Sequence, residues 1–135
     1  IGIANEIEIN KNGIKHPLYK NKDKKFNSPA FNFDEVVKIP DKGICLASNK
    51  INKVQGLYFE VNKTKIWGLQ YHPEITYEKM INLIEFRKER LIESRKVFKD
   101  DTEVQKHIAF IKKEISVSDK EKRMLELKNW LNELN

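Results

Sequence analysis

The chain predicts an α/β fold in which strands fill the first half and helices the second. The prediction rests on short alternating or apolar runs bounded by turn residues as far as Tyr71, a switch to helical spacing from Ile75, and capping residues that punctuate the helical half. The order of elements alone reads as α+β. An α/β domain whose alternating strands and helices lie upstream of Ile1 would give the same order.

Glu6-Ile7-Glu8-Ile9 alternates polar and apolar residues, the pattern of a half-buried strand, and Asn10 to Gly13 supply a turn. His16 to Asn27 read as a polar, lysine-rich connection. Phe31 to Ile39 is a mixed apolar stretch closed by Pro40 and the turn residues Asp41-Lys42-Gly43. Ile44 to Ala47 reads as a buried strand, and Val54 to Val61 as a better one. Lys65 to Tyr71 completes a hairpin with it and delivers His72 to its end. Thr76 is placed to cap a helix, with Glu78 in its first turn and Ile75 and Met80 as a hydrophobic staple. Tyr77, Met80, Ile81, Ile84, Leu91, Ile92 and Phe98 then recur at helical spacing. A second helix is expected from Asp101-Thr102, burying Val104, Ile108, Ile111 and Ile115. Ser118 to Glu121 form a capping box for a third, whose apolar face is Met124, Leu127, Trp130, Leu131 and Leu134.

Composition narrows the classes. A single cysteine, Cys45, excludes an internal disulfide framework and fits a reducing, cytoplasmic setting. It sits in an apolar run and reads as a core residue. Three widely spaced histidines without companion cysteines argue against a structural metal site. No apolar run approaches the ~20 residues of a membrane span. The net charge of +6 raises nucleic acid, but the lysine clusters at 20–25 and 120–123 lack interleaved aromatics and read as a solvated loop and a solvated helix face. His16 belongs to a loop, and His107, at helical spacing from Val104 and Ile111, to packing.

The segment richest in chemistry is Trp67-Gly68-Leu69-Gln70-Tyr71-His72-Pro73-Glu74. Residues i and i+2 of an extended segment share a side, and Pro73 biases His72 towards that conformation. The imidazole and the carboxylate are therefore held as neighbours. A carboxylate beside an imidazole orients the ring and favours its charged form, leaving only a nucleophile missing from a triad.

Gly68 to Glu74 resembles the G-x-Q-[FY]-H-P-E signature of class I glutamine amidotransferases. Phe33-Asp34-Glu35-Val36, Leu46-Ala47-Ser48-Asn49 and Val54-Gln55-Gly56 resemble, in order, further motifs of the GMP-synthase-like subgroup. The helical tail ending Lys128-Asn129-Trp130-Leu131 resembles the C-terminal extension of one bacterial subgroup. The resemblance implies the C-terminal part of a flavodoxin-like domain over residues 1–98, with a helical extension of the same domain over 99–135. It implies hydrolysis of the glutamine side-chain amide, or of a related γ-glutamyl bond, with His72 as base and Glu74 as its orienter. No cofactor is implied. The expected partners are glutamine or a γ-glutamyl small molecule and a synthetase that accepts ammonia, with no nucleic acid and no membrane.

Two departures from the family pattern shape the expectation. No G-x-C-x-G-x-Q elbow is present, and the chain begins with Ile1, so the nucleophilic cysteine is expected upstream and these 135 residues are expected to be inactive alone. Phe31-Asn32 stand where the family has Ser-His, whose backbone helps to hold the substrate's α-amino and carboxylate groups. Both positions are therefore candidate substrate contacts through main chain. The rival expectation is a catalytically silent amidotransferase-like regulatory or interaction module that docks through its tail.

Overall fold

The alternation in the first residues produces β1 (Ala4–Ile9), with Ile7 and Ile9 buried and Glu6 and Glu8 exposed. The computed structural model describes residues 1–135. β1 runs antiparallel to β2 (Lys25–Ser28) on one side and β3 (Ile44–Ser48) on the other. β4 (Gly56–Val61) and β5 (Thr64–Leu69) extend the sheet, giving the order β2-β1-β3-β4-β5 with every neighbouring pair antiparallel. Helices α2 (Tyr77–Phe86), α3 (Asp101–Val117), α4 (Lys120–Arg123) and α5 (Leu125–Glu133) follow, after a single early turn, α1 (Lys11–Ile14). The chain is thus α/β, with strands first and helices after, compatible with part of a flavodoxin-like domain.

Local chemistry explains most boundaries. The Asn10 carboxamide caps α1 by accepting from the Asn12 and Gly13 amides, so that the expected turn is one turn of helix. Asn62 and Lys63 join β4 to β5 with both residues at positive φ (49° and 67°), the geometry of a primed two-residue hairpin turn. Lysine is strained there. Lys63→Gly should stabilise the protein by about 1 kcal/mol, seen as a higher urea midpoint with an unchanged slope. Thr76, Asp100 and Asp119 cap α2, α3 and α4 through their side-chain oxygens. Asp119, rather than Ser118, is the cap of the tail.

Two apolar cores result. One lies on the sheet around Ile7, Ile9, Leu18, Leu46 and Tyr71; the other joins Ile3 to α2 and α3 through Tyr77, Ile84, Val104, Ile108 and Ile111. Gly2 lies against the second core at φ +85°, where an added Cβ would lie 2.5 Å from the Ile111 side chain.

Several expectations need correction. β2 begins within the stretch read as a polar connection, which also contains a 3-10 turn at Pro17–Tyr19. The helix expected to reach Phe98 ends at Phe86, and a π-helical turn (Arg90–Ser94) then carries Leu91 and Phe98 back into the core. Ile115 is 37% exposed, because α3 outlasts the surface it packs on. In α5 the buried face is Glu126 and Asn129, while Trp130, Leu131 and Leu134 are 42–64% exposed. The Asn129 amide donates to the carbonyls of Leu18 (2.9 Å) and Lys20 (3.0 Å), satisfying the 3-10 turn on which α5 sits. Polar satisfaction, not the apolar stripe, sets the rotation of this helix.

Candidate active site

β5 ends at Leu69, and the chain then passes through Gln70 and Tyr71 to His72. The His72 amide donates to the Pro29 carbonyl (2.7 Å), and the Ile75 amide donates to the His72 carbonyl (3.2 Å). The turn so formed puts His72 Nδ1 2.8 Å from Glu74 Oε1. Tyr71 and Pro73 are buried, whereas the His72 and Glu74 side chains are 40% and 47% exposed. The i, i+2 alternation read from the sequence is therefore realised. With Nδ1–H given to the carboxylate, the neutral ring carries its lone pair on Nε2, which has no hydrogen-bond partner. This is the arrangement of a base held by an orienter and open to a further group.

Asn32 is drawn to the same segment. Its amide nitrogen lies 2.5 Å from Gln70 Oε1 and 3.3 Å from the Asp34 carbonyl. Phe31 is half-buried against the helical core, with the Arg87 guanidinium 5.3 Å over its ring. Asn32 also lines a cleft of about 270 Å³ that includes Gln55, whose buried Oε1 has no hydrogen-bond partner. His72 and Glu74 do not line that cleft.

Cys45 is no partner for His72. Its Sγ lies 3.5 Å from the carbonyls of Ala47 and Lys53, and burial pushes the thiol pKa up, away from thiolate. It is half-buried at β3, outside both cores, a correction to its reading as a core residue. His16 caps the 3-10 turn, with Nδ1 accepting from the Leu18 amide (3.2 Å), and its ring packs on Tyr58 and Trp67. His107 Nε2 lies 2.6 Å from the Ile1 carbonyl, a packing role as expected. No group of three or more His, Cys, Asp and Glu side chains converges in a way that could hold a metal ion. No helix is long and apolar enough to cross a membrane.

Sequence reasoning missed the support beneath His72. The Tyr71 hydroxyl bonds Glu126 Oε1 at 2.7 Å and lies 3.1 Å from the Tyr19 hydroxyl. Lys22 Nζ, 3.0 Å from Glu126 Oε2, also donates to the Lys122 carbonyl at 2.8 Å. The Lys22 side chain is only 5% exposed, so the lysine cluster is not wholly a solvated loop. Burial pushes the Tyr71 pKa well up, which keeps its hydroxyl a donor. The one available signal was a glutamate and an asparagine spaced i, i+3 in the tail helix; nothing local marks Lys22.

No protein-family model matches the chain. Over 73 residues it is 30% identical to a γ-glutamyl-L-1-hydroxyisopropylamide hydrolase of a Pseudomonas species, a stretch that is 54% of this chain and 24% of that protein. Over 71 residues it is 37% identical to one subunit of the glutamine-hydrolysing GMP synthase of Methanocaldococcus jannaschii, covering 52% of this chain and 36% of that protein. The chain thus spans about a quarter to a third of the length of these relatives. Two distant, partial relatives, hydrolytic by name on glutamine or a γ-glutamyl amide, point to a class I glutamine amidotransferase-like domain.

Proposed function

We propose that this chain supplies the base and its orienter to a class I glutamine amidotransferase of the GMP-synthase-like type, whose nucleophilic cysteine lies outside these 135 residues. The observation that carries the reading is the 2.8 Å His72–Glu74 pair, with Nε2 of His72 free. Residues 1–98 belong to the amidotransferase domain, and residues 99–135 are its helical extension. In the reaction, Nε2 takes the proton of the thiol, whose ordinary pKa of ~8.5 leaves it mostly neutral. The thiolate attacks the side-chain amide carbon, the C–N bond breaks, and His72 gives that proton to the departing ammonia or amine. Water, deprotonated by His72, then cleaves the thioester to release glutamate and restore the thiol. Glu74 stabilises the imidazolium formed at both steps. Phe31 and Asn32 hold the α-amino and carboxylate groups of the substrate through main chain.

The substrate is glutamine or a γ-glutamyl amide, with a synthetase as acceptor if the ammonia is passed on. The test is ammonia release from glutamine, and amine release from a γ-glutamyl alkylamide, by the full-length protein and by residues 1–135 alone. Turnover by the former and none by the latter is expected. Turnover by residues 1–135 alone would overturn the external nucleophile. Silence of the full-length protein on both substrates would select the rival, an interaction module, for which the exposed Trp130 and Leu131 of α5, with Leu134 just beyond it, speak.

A further inference from the structure

The side of the His72 segment that faces away from solvent is held by the tail as well as by Pro29 and Tyr19. Tyr71, Pro73 and Ile75 alternate with His72 and Glu74, and each of the three is bonded by a residue of α4 or α5. Arg123, the last residue of α4, donates from Nη1 to the Pro73 carbonyl and to the Ile75 carbonyl (2.9 Å). One guanidinium nitrogen carries two N–H groups, so a single planar head spans both carbonyls and fixes the Pro73–Glu74 and Ile75–Thr76 peptide planes, which bracket the Glu74-Ile75 pair. One turn further on, Glu126 takes the Tyr71 hydroxyl, fixing the residue before His72. Glu126 is in turn held by Lys22, whose ammonium also donates to the Lys122 carbonyl, next to Arg123. The Tyr71–Glu126–Lys22 group is buried, where such bonds hold geometry tightly.

We infer that α4 and α5 form a clamp on the His72–Glu74 segment, with Arg123 and Glu126 as positioning residues for the base. Neither touches the reacting atoms. Arg123 holds the backbone that sets where the Glu74 carboxylate sits, and Glu126 holds the residue that sets where the His72 ring starts. The tail is therefore part of the catalytic apparatus, and its docking decides whether His72 presents Nε2 outward. The inference rests on His72 being the base as proposed above, but the clamp itself has a readout that needs no turnover.

That readout is the tautomer of each histidine, measured by 15N NMR on the full-length protein labelled at histidine. His72 should be an Nδ1–H tautomer, through Glu74. His16, whose Nδ1 accepts from the Leu18 amide, and His107, whose Nε2 meets the Ile1 carbonyl, should both be Nε2–H tautomers. In Arg123→Met the Nδ1–H to Nε2–H ratio of His72 should fall at least threefold while His16 and His107 keep theirs; Arg123→Lys should restore part of it. Tyr71→Phe should lower the same ratio, and kcat should fall in each variant with KM little changed. An unaltered His72 ratio in folded Arg123→Met overturns the clamp. If that variant unfolds, all three histidines change together, and an unaltered ratio in Tyr71→Phe overturns it instead. A wild-type protein with the expected tautomers and variant response but no hydrolysis would defeat the hydrolase reading and leave the clamp standing.

Discussion

His72→Ala in the full-length protein should lower kcat for amide hydrolysis by about 10²- to 10⁴-fold, the range for removing a positioned general acid–base. Cys45→Ala should leave kcat within about twofold. The contrast follows from geometry. His72 presents a free Nε2 and is held through Nδ1 by Glu74, whereas the Cys45 thiol is turned to two backbone carbonyls and kept protonated by burial. Glu74→Gln should sit between them, because an amide can still accept from Nδ1–H but no longer stabilises the imidazolium. Steady-state ammonia release by the three variants provides the measurement. A Cys45→Ala loss as large as that of His72→Ala, with the fold intact, would make Cys45 the nucleophile.

The largest stability effect is expected at Glu126. Glu126→Leu removes one half of a buried ion pair and an acceptor of the Tyr71 hydroxyl, leaving the Lys22 ammonium with the Lys122 carbonyl and the face of the Phe26 ring but no anion in contact. Breaking a buried pair from one side costs about 3–5 kcal/mol, a large share of the ~5–15 kcal/mol that holds a domain together. The double change Lys22→Met with Glu126→Leu should recover most of it, because an apolar pair needs no desolvated charge. Burial lowers the Lys22 pKa despite the attached carboxylate, so desolvation outweighs attraction at this site. The sign for pH follows. A lysine with a depressed folded pKa contributes stability that is present above its unfolded pKa and lost as pH falls through the folded one. Wild type should therefore gain stability relative to Lys22→Met as pH rises towards 10.5, by urea titration of both.

Elements whose causes are local could be read directly from the amino-acid order. Alternation made β1, the hairpin brought His72 to the end of β5, and Thr76 and Asp100 began their helices. The His72–Glu74 pair was equally legible, because i, i+2 spacing around a proline is a property of adjacent residues. The buried face of α5, by contrast, follows from long-range contacts. Hydrophobic periodicity selected Trp130, Leu131 and Leu134, yet Glu126 and Asn129 face inward because partners more than a hundred residues away, Lys22 and the carbonyls of Leu18 and Lys20, satisfy them there. The burial of Lys22 and the grip of Arg123 on the Pro73 and Ile75 carbonyls belong to the same class. Whether a polar side chain is expelled to water or buried with its bonds made depends on what faces it across the fold, and local sequence carries no record of that.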